Sequence, residues 1–368
     1  MTAGGAFDPR RLTIARWAAS LTKRDLAERS GLSPASITQY EAGRTLPPAA
    51  TLAKLALALG VPVAYFERRN DRRRPDLTAR SYFRSLRSTP QRERDRADAL
   101  AEHVFDLVDH LDRLVTLPRP NIPQIAPRST TREEIERIAS EVRQAWDVPD
   151  GPIANVVRLL EANGAVVARL HSGGSRLDAF SRWFGDRPLI LLWAEKADKA
   201  RSRFDAAHEL GHLVMHTDPD PLDREQERQA NMFASAFLMP MPQIKPYLVA
   251  RAPTLSTWPE VMQRRQHWGV SAKALLYRSR EIGTLNEPGH RRAMIGYNKY
   301  GYAKRDGTEL GPPESPLLLT RAIEALGEDS QKIAGDALVP LALIAELLSQ
   351  PVPVPSPVPV PARSLHSV

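Results

Sequence analysis

The stretch His208-Glu209-Leu210-Gly211-His212 constrains this chain more than any other, because two imidazoles four residues apart on a helix, with a carboxylate beside the first, can serve one metal ion. On an α-helix, positions i and i+4 lie on one face about 6 Å apart along the axis, so the two side chains converge. The carboxylate beside the first histidine then lies close to any water the metal holds. Zinc lowers the pKa of such a water to about 7, and a neighbouring carboxylate can take its proton and pass it to a leaving amine. The pattern is thus the half-site of a zinc hydrolase, with His208 and His212 as candidate ligands and Glu209 as candidate general base. It also sets a demand. A catalytic zinc takes three protein ligands and keeps one position open, so a third donor must come from elsewhere in the fold. The chain has no cysteine, which excludes a thiolate donor, a thiol nucleophile and a disulfide framework.

Fifteen residues beyond His212, Glu227 heads a segment in which Ala230, Phe233, Ala234 and Phe237 repeat at helical spacing. His216 continues the i, i+4 series, yet about 12 Å along the axis separates it from His208, too far for one ion. Its readings are packing, support of a ligand from behind, or proton donation. Arg203 could orient a site carboxylate, or could pack its stem and solvate its head at a helix start.

Arg203-Phe204, HELGHLVMH over 208–216, E-x-x-A-N-x-F-A from Glu227 and Leu238-Met239-Pro240 together resemble the ImmA/IrrE family of zinc metallo-endopeptidases. The resemblance spans roughly residues 130–285. It implies a gluzincin-like site with Zn2+ on His208, His212 and Glu227, Glu209 as base, and Glu225 as the rival third ligand. It also implies a protein substrate, a repressor or another regulatory protein.

The formal charge of +8 is unevenly placed. Residues 1–87 carry sixteen Lys or Arg against seven Asp or Glu, and the remaining residues carry 35 against 36, so the whole basic excess is N-terminal. Such asymmetry points to an anionic partner at that end, nucleic acid first. Residues 10–66 read as four or five short helices. Thr22 can cap one that stops at Gly31; Ser33 and Pro34 start another that closes at Gly43; Leu52, Leu55, Ala56 and Leu59 stripe a fourth. Two helices around a tight Gly-containing turn describe a helix-turn-helix.

The run LAERSGLSPASITQYEAG resembles the XRE/Cro-like repressor family. By that resemblance, helix 34–41 is the recognition helix and presents Ala35, Ser36, Thr38 and Gln39 to base edges of double-stranded operator DNA. Gln39 suits adenine N6 and N7, while Lys23 and Arg44 suit phosphates. Lys23 stands where the family often has Gln, which shifts that contact toward the backbone. The competing reading is a helical bundle for protein interaction that has lost DNA binding.

Five arginines between Arg68 and Arg74 mark a solvated hinge or backbone-contacting arm. From Arg92 to Val115, Ala97, Leu100, Val104, Leu107, Leu111 and Leu114 keep a 3,4 spacing, which fits either a homodimerisation helix or a helix packed on the catalytic domain. Four prolines between Pro118 and Pro127 form an extended connector, and Thr131 with Glu134 fits a capping box. A helix near 152–162 and strands Val166–Leu170 and Arg187–Trp193 precede the His208 helix. Leu189–Trp193 is the candidate edge strand for a peptide substrate. Tyr297, Tyr300 and Tyr302 are candidates for oxyanion support or for packing.

The expected fold is mostly α with a small sheet, an α+β arrangement of a helix-turn-helix bundle, a zincin-like domain and a helical C-terminal region. The expected boundaries are 1–70 for the DNA-binding domain, 71–128 for linker, amphipathic helix and Pro-rich connector, and 129–285 for the peptidase domain. Residues 286–349 form the C-terminal helical region, and 350–368 form a Pro-rich, disordered tail. No signal-peptide pattern and no long apolar run occurs, so a cytoplasmic protein with no membrane partner is expected.

Overall fold

Helix punctuation dictates the first domain. The structure, a computed structural model, describes residues 7–67, the backbone of 82–83, and residues 90–171, 179–194, 198–216, 223–306 and 309–349. The Arg68–Arg74 arm and the 350–368 tail lie outside the described residues. Helices α1 (Pro9–Ala18), α2 (Lys23–Ser30), α3 (Pro34–Glu41) and α4 (Ala49–Leu59) are followed by a 3₁₀ turn at Val63–Phe66. Thr22 and Asp25 form a reciprocal capping box on α2, and Gly31 ends it at φ 65°, where a side chain would be strained. Ser33 caps α3 by accepting from the Ser36 amide. Leu12, Leu26, Ala27, Ile37, Leu55, Tyr65 and Phe66 close the small core beneath them.

Strand β1 (Tyr82–Phe83) and helix α5 (Gln91–Leu111) come next. Helices α6 (Arg132–Ala145) and α7 (Val156–Ala162) lead into strands β2 (Val166–Leu170), β3 (Ala179–Phe184) and β4 (Arg187–Trp193). Helices α8 (Lys199–Met215) and α9 (Arg224–Leu238) follow, then α10 (Met241–Ile244), α11 (Trp258–Trp268), α12 (Ala272–Glu281), α13 (Glu287–Lys299) and α14 (Tyr302–Asp306). The last three are α15 (Leu318–Leu326), α16 (Ser330–Ala337) and α17 (Leu341–Leu348).

The sheet runs β1-β3-β4-β2, with β2 parallel and β3 antiparallel to β4, and β1 adding two residues to the edge of β3. This corrects the expected edge strand. Leu189–Trp193 is interior, paired on both sides, and its unbroken apolar run is what a strand buried on both faces requires. The sheet separates two cores. One holds residues of α6 to α9 and α11 to α14, and the other holds those of α5 and α15 to α17.

Helix α5 resolves the choice between its two readings. Ala97, Val104, Leu107 and Leu111 pack on the sheet with Phe180, Leu189 and Leu191, and Phe105 stacks on Phe184 with ring centroids 4.6 Å apart. Its apolar stripe is therefore used within the chain. Its polar side receives the first domain: Arg11 pairs with Asp106 at 2.5 Å, and the Tyr65 hydroxyl lies 2.8 Å from Nε2 of His103. Thr131 caps α6 as expected, but the Glu134 carboxylate accepts from the Arg128 amide, so the cap is not reciprocal.

Two buried carboxylates join the C-terminal helices to α7. Glu314 accepts from the amides of Val156 and Val157 at the start of α7, while Glu161 on α7 accepts from Leu317 and Leu318 at the start of α15. Burial pushes the Glu161 carboxyl from 4.5 up to about 7. Between those two values the folded chain binds the extra proton. The stabilisation is complete below the lower value and is lost as pH rises through the upper one, a change of about 3 kcal/mol. Glu161→Gln, which keeps the acceptor, should flatten this dependence. Urea midpoints at pH 5 and pH 8 compare the two chains, and parallel shifts would disprove the assignment.

Candidate metal centre and DNA-facing helix

Helix α8 starts under an Asp198 cap and carries both histidines on its buried side; His208 and His212 are 0 % and 1 % exposed. Helix α9 starts under Asp223 and packs against α8 so that Glu227 of its first turn meets both histidines, which needs a close approach. Gly211 permits it. A Cβ there would lie 3.0–3.2 Å from the ring and Cβ of Phe233, so a larger residue would require Phe233 to give by a few tenths of an ångström.

The result is a three-residue cluster. Nε2 of His208 and Nε2 of His212 are 3.0 Å apart, and the Glu227 carboxylate lies 3.6 Å from the first and 3.3 Å from the second. Zinc bonds of about 2.0–2.1 Å in tetrahedral geometry space ligand atoms about 3.3–3.4 Å apart. The cluster brackets that spacing, and its two imidazoles and one carboxylate are a donor set of catalytic zinc. Among the described residues it is the one group of this kind, and His208, His212 and Glu227 are its members. Glu227 keeps 26 % of its side chain exposed, so solvent reaches the cluster from that side.

Glu225 is turned elsewhere. Its carboxylate takes the Arg228 guanidinium at 2.6 Å and a hydrogen bond from Gln229, and the pairing with Arg228 holds it below the usual carboxylate range. Glu209 is fully buried, and Ser181 on β3 donates to its Oε2 at 2.6 Å. His216, just past the end of α8, sets Nδ1 3.0 Å from Nδ1 of His212 and Nε2 2.9 Å from Oε1 of Gln229. Burial, reinforced by His212, pushes the His216 imidazole down to about 4, so it is neutral at neutral pH. Arg203 does not meet a carboxylate of the cluster. It pairs with Glu314 at 2.5 Å and donates to the Ile153 carbonyl, because α7 and the 314 segment cover that side of α8. Tyr297 donates to Asp306 and Tyr302 stacks on Trp258, so both serve packing of α11 to α14.

Ser181 and Gln229 were not singled out from sequence. A serine inside the apolar run of β3 and a glutamine on the buried side of α9 were the available signals.

On α3, Ala35, Thr38 and Gln39 are exposed and Ser36 is half-buried with its hydroxyl 2.9 Å from that of Ser33. The Thr38 hydroxyl donates back to the Pro34 carbonyl over 2.9 Å. Ile37 faces inward at 0 % exposure. Lys23 leans on Glu41 at 3.4 Å, a carboxylate that Arg16 also grips, whereas Arg44 is exposed. The first domain's docking on α5 leaves the outer side of α3 open.

Two family models match the chain. Residues 160–280 match Peptidase_M78, the IrrE N-terminal-like domain, and residues 14–66 match HTH_3, the helix-turn-helix. The chain joins a helix-turn-helix domain to an IrrE N-terminal-like domain. The expected α+β arrangement holds, with the helix-turn-helix bundle preceding the IrrE-like domain and its small sheet. The Peptidase_M78 match contains all three members of the candidate metal cluster, Glu209 and Ser181; the HTH_3 match contains α2 and α3. No curated protein matches the chain. No helix among the described residues is long and apolar enough to cross a membrane.

Proposed function

We propose that this chain is a DNA-binding transcriptional regulator whose IrrE-like domain is a zinc-dependent endopeptidase acting on a regulatory protein, either a partner repressor or the chain itself. The observation that carries the reading is the His208, His212, Glu227 cluster, its two histidines buried on α8 beside Glu209 and its carboxylate partly exposed on α9. Bound there, zinc would supply Lewis-acid activation of a water and of the scissile carbonyl. Glu209 would receive the water proton and return it to the departing amine nitrogen. Ser181, donating to Oε2, holds that carboxylate in one orientation, and Glu227 closes the ligand set from α9. The partly exposed Glu227 side is the approach for a peptide.

The test is a digest. The zinc-loaded chain is incubated with the proteins encoded beside its own gene, and a chelated sample serves as control. A fragment formed only with zinc supports the endopeptidase. Identical digests would leave a DNA-binding sensor with a metal site and no turnover.

The DNA-binding half has its own expected outcomes. Gln39→Ala should cost about 1–3 kcal/mol on the operator and relax preference at one base pair. Arg44→Ala should weaken all sequences alike and reduce the salt slope of binding by about 1. Fluorescence anisotropy at several salt concentrations separates the two. Equal binding by both variants and the parent would refute this interface.

A further inference from the structure

Gln229 lies behind the metal cluster, 7 % exposed, and contacts no member of it directly in any hydrogen bond. Its amide bridges two groups: Oε1 is 2.9 Å from Nε2 of His216, and Nε2 donates to Oε1 of Glu225 over 3.2 Å. His216 then meets His212 through their Nδ1 atoms at 3.0 Å. We propose that Glu225, Gln229 and His216 form a one-way hydrogen-bond relay that holds the proton of His212 on Nδ1, which makes them positioning residues for metal capture. The inference rests on His212 being a metal ligand, as in the proposed function.

The direction follows from which atoms can donate. An ionised carboxylate only accepts, so Glu225 draws the NH₂ of Gln229 toward itself and turns the amide oxygen to His216. An amide oxygen also only accepts, so the proton of that contact sits on Nε2 of His216. A neutral imidazole protonated at Nε2 offers Nδ1 as an acceptor, and the proton between the two Nδ1 atoms therefore belongs to His212. Nε2 of His212 is left with its lone pair toward His208 and Glu227.

Reversing the amide reverses every step. An NH₂ facing His216 would put the His216 proton on Nδ1 and drive the His212 proton onto Nε2, where it blocks the metal. Glu225 fixes the orientation of the amide, because its carboxylate accepts only from the NH₂ end. Arg228, in turn, holds Glu225 in place at 2.6 Å. Partners of this outer kind set ligand tautomers, and losing one typically costs 10–100-fold in metal affinity.

Two readouts on the full chain test the relay: zinc affinity by competition with a chromophoric chelator, and the ¹⁵N shifts of the histidine rings in metal-free protein. In the parent, His212 should be the Nδ1–H form. Gln229→Leu removes the acceptor for His216, so the preference should vanish and zinc should bind about 10–100-fold more weakly. Gln229→Glu keeps an acceptor facing His216 and should retain the Nδ1–H form. Glu225→Lys, at a half-exposed position that tolerates exchange, offers only donors and should turn the amide and move the His212 proton to Nε2. An unchanged His212 tautomer in both Gln229→Leu and Glu225→Lys would overturn the relay, and the second variant serves if the first fails to fold. A parent chain that binds no zinc would instead defeat the proposed function, while the ring shifts would still test the relay.

Discussion

Under the proposed endopeptidase function, Glu209→Gln should retain bound zinc and lose peptide hydrolysis by about 10²–10⁴-fold, the span usual for removal of a general acid–base group. The substitution changes one atom in a fully buried side chain. It keeps an oxygen that can accept from Ser181, so the helix and the His208, His212, Glu227 cluster stay in place. What it removes is the capacity to hold a proton between water and the departing amine. Metal content and turnover, measured on the same sample, separate this loss from loss of the ion. Turnover equal to the parent's, with zinc still bound, would remove Glu209 from the mechanism.

Glu314→Ala destabilises the chain by about 3–5 kcal/mol, because it leaves the Arg203 guanidinium buried without its carboxylate. Both side chains are 3 % exposed, so water cannot replace the lost partner. The amides of Val156 and Val157 lose their acceptor in the same step, which adds to the cost. Urea unfolding measures it. A loss below about 1 kcal/mol, the range of a surface pair, would show that the C-terminal segment does not secure α7 and α8. Because Arg203 lies on α8 five residues before His208, less than two turns away, this clamp also bears on the candidate metal site.

Much of the site was legible because helices report their own faces. His208 and His212 at i, i+4 share the face of α8 that meets Glu227, and the Ala230, Phe233, Ala234, Phe237 repeat marks the buried side of α9. Cap residues Thr22 and Ser33 carried the helix-turn-helix in the same way. Pairing across a sheet is not encoded so locally. Leu189–Trp193 reads as a strand from its apolar residues, but whether it lies at an edge depends on β3, whose Ser181 and Arg182 break the apolar pattern and hide the strand. The partner of Arg203 was equally out of reach, since Glu314 is 111 positions away and only the packed C-terminal region brings it close. Glu225 and Glu227, both in the first turn of α9, differ by about 200° around a helix, so their opposite fates follow from which one faces α8.

The most direct measurement of the central claim is zinc X-ray absorption on the full chain, read for the number and kind of ligands. Two imidazole nitrogens with two oxygens at about 2.0–2.1 Å, one from Glu227 and one from water, is the expected shell. Glu227→Ala should replace or lose one oxygen, and Glu225→Ala should leave the shell unchanged. A third imidazole, for which His216 is the neighbour among the described residues, or a shell insensitive to Glu227 would contradict the account.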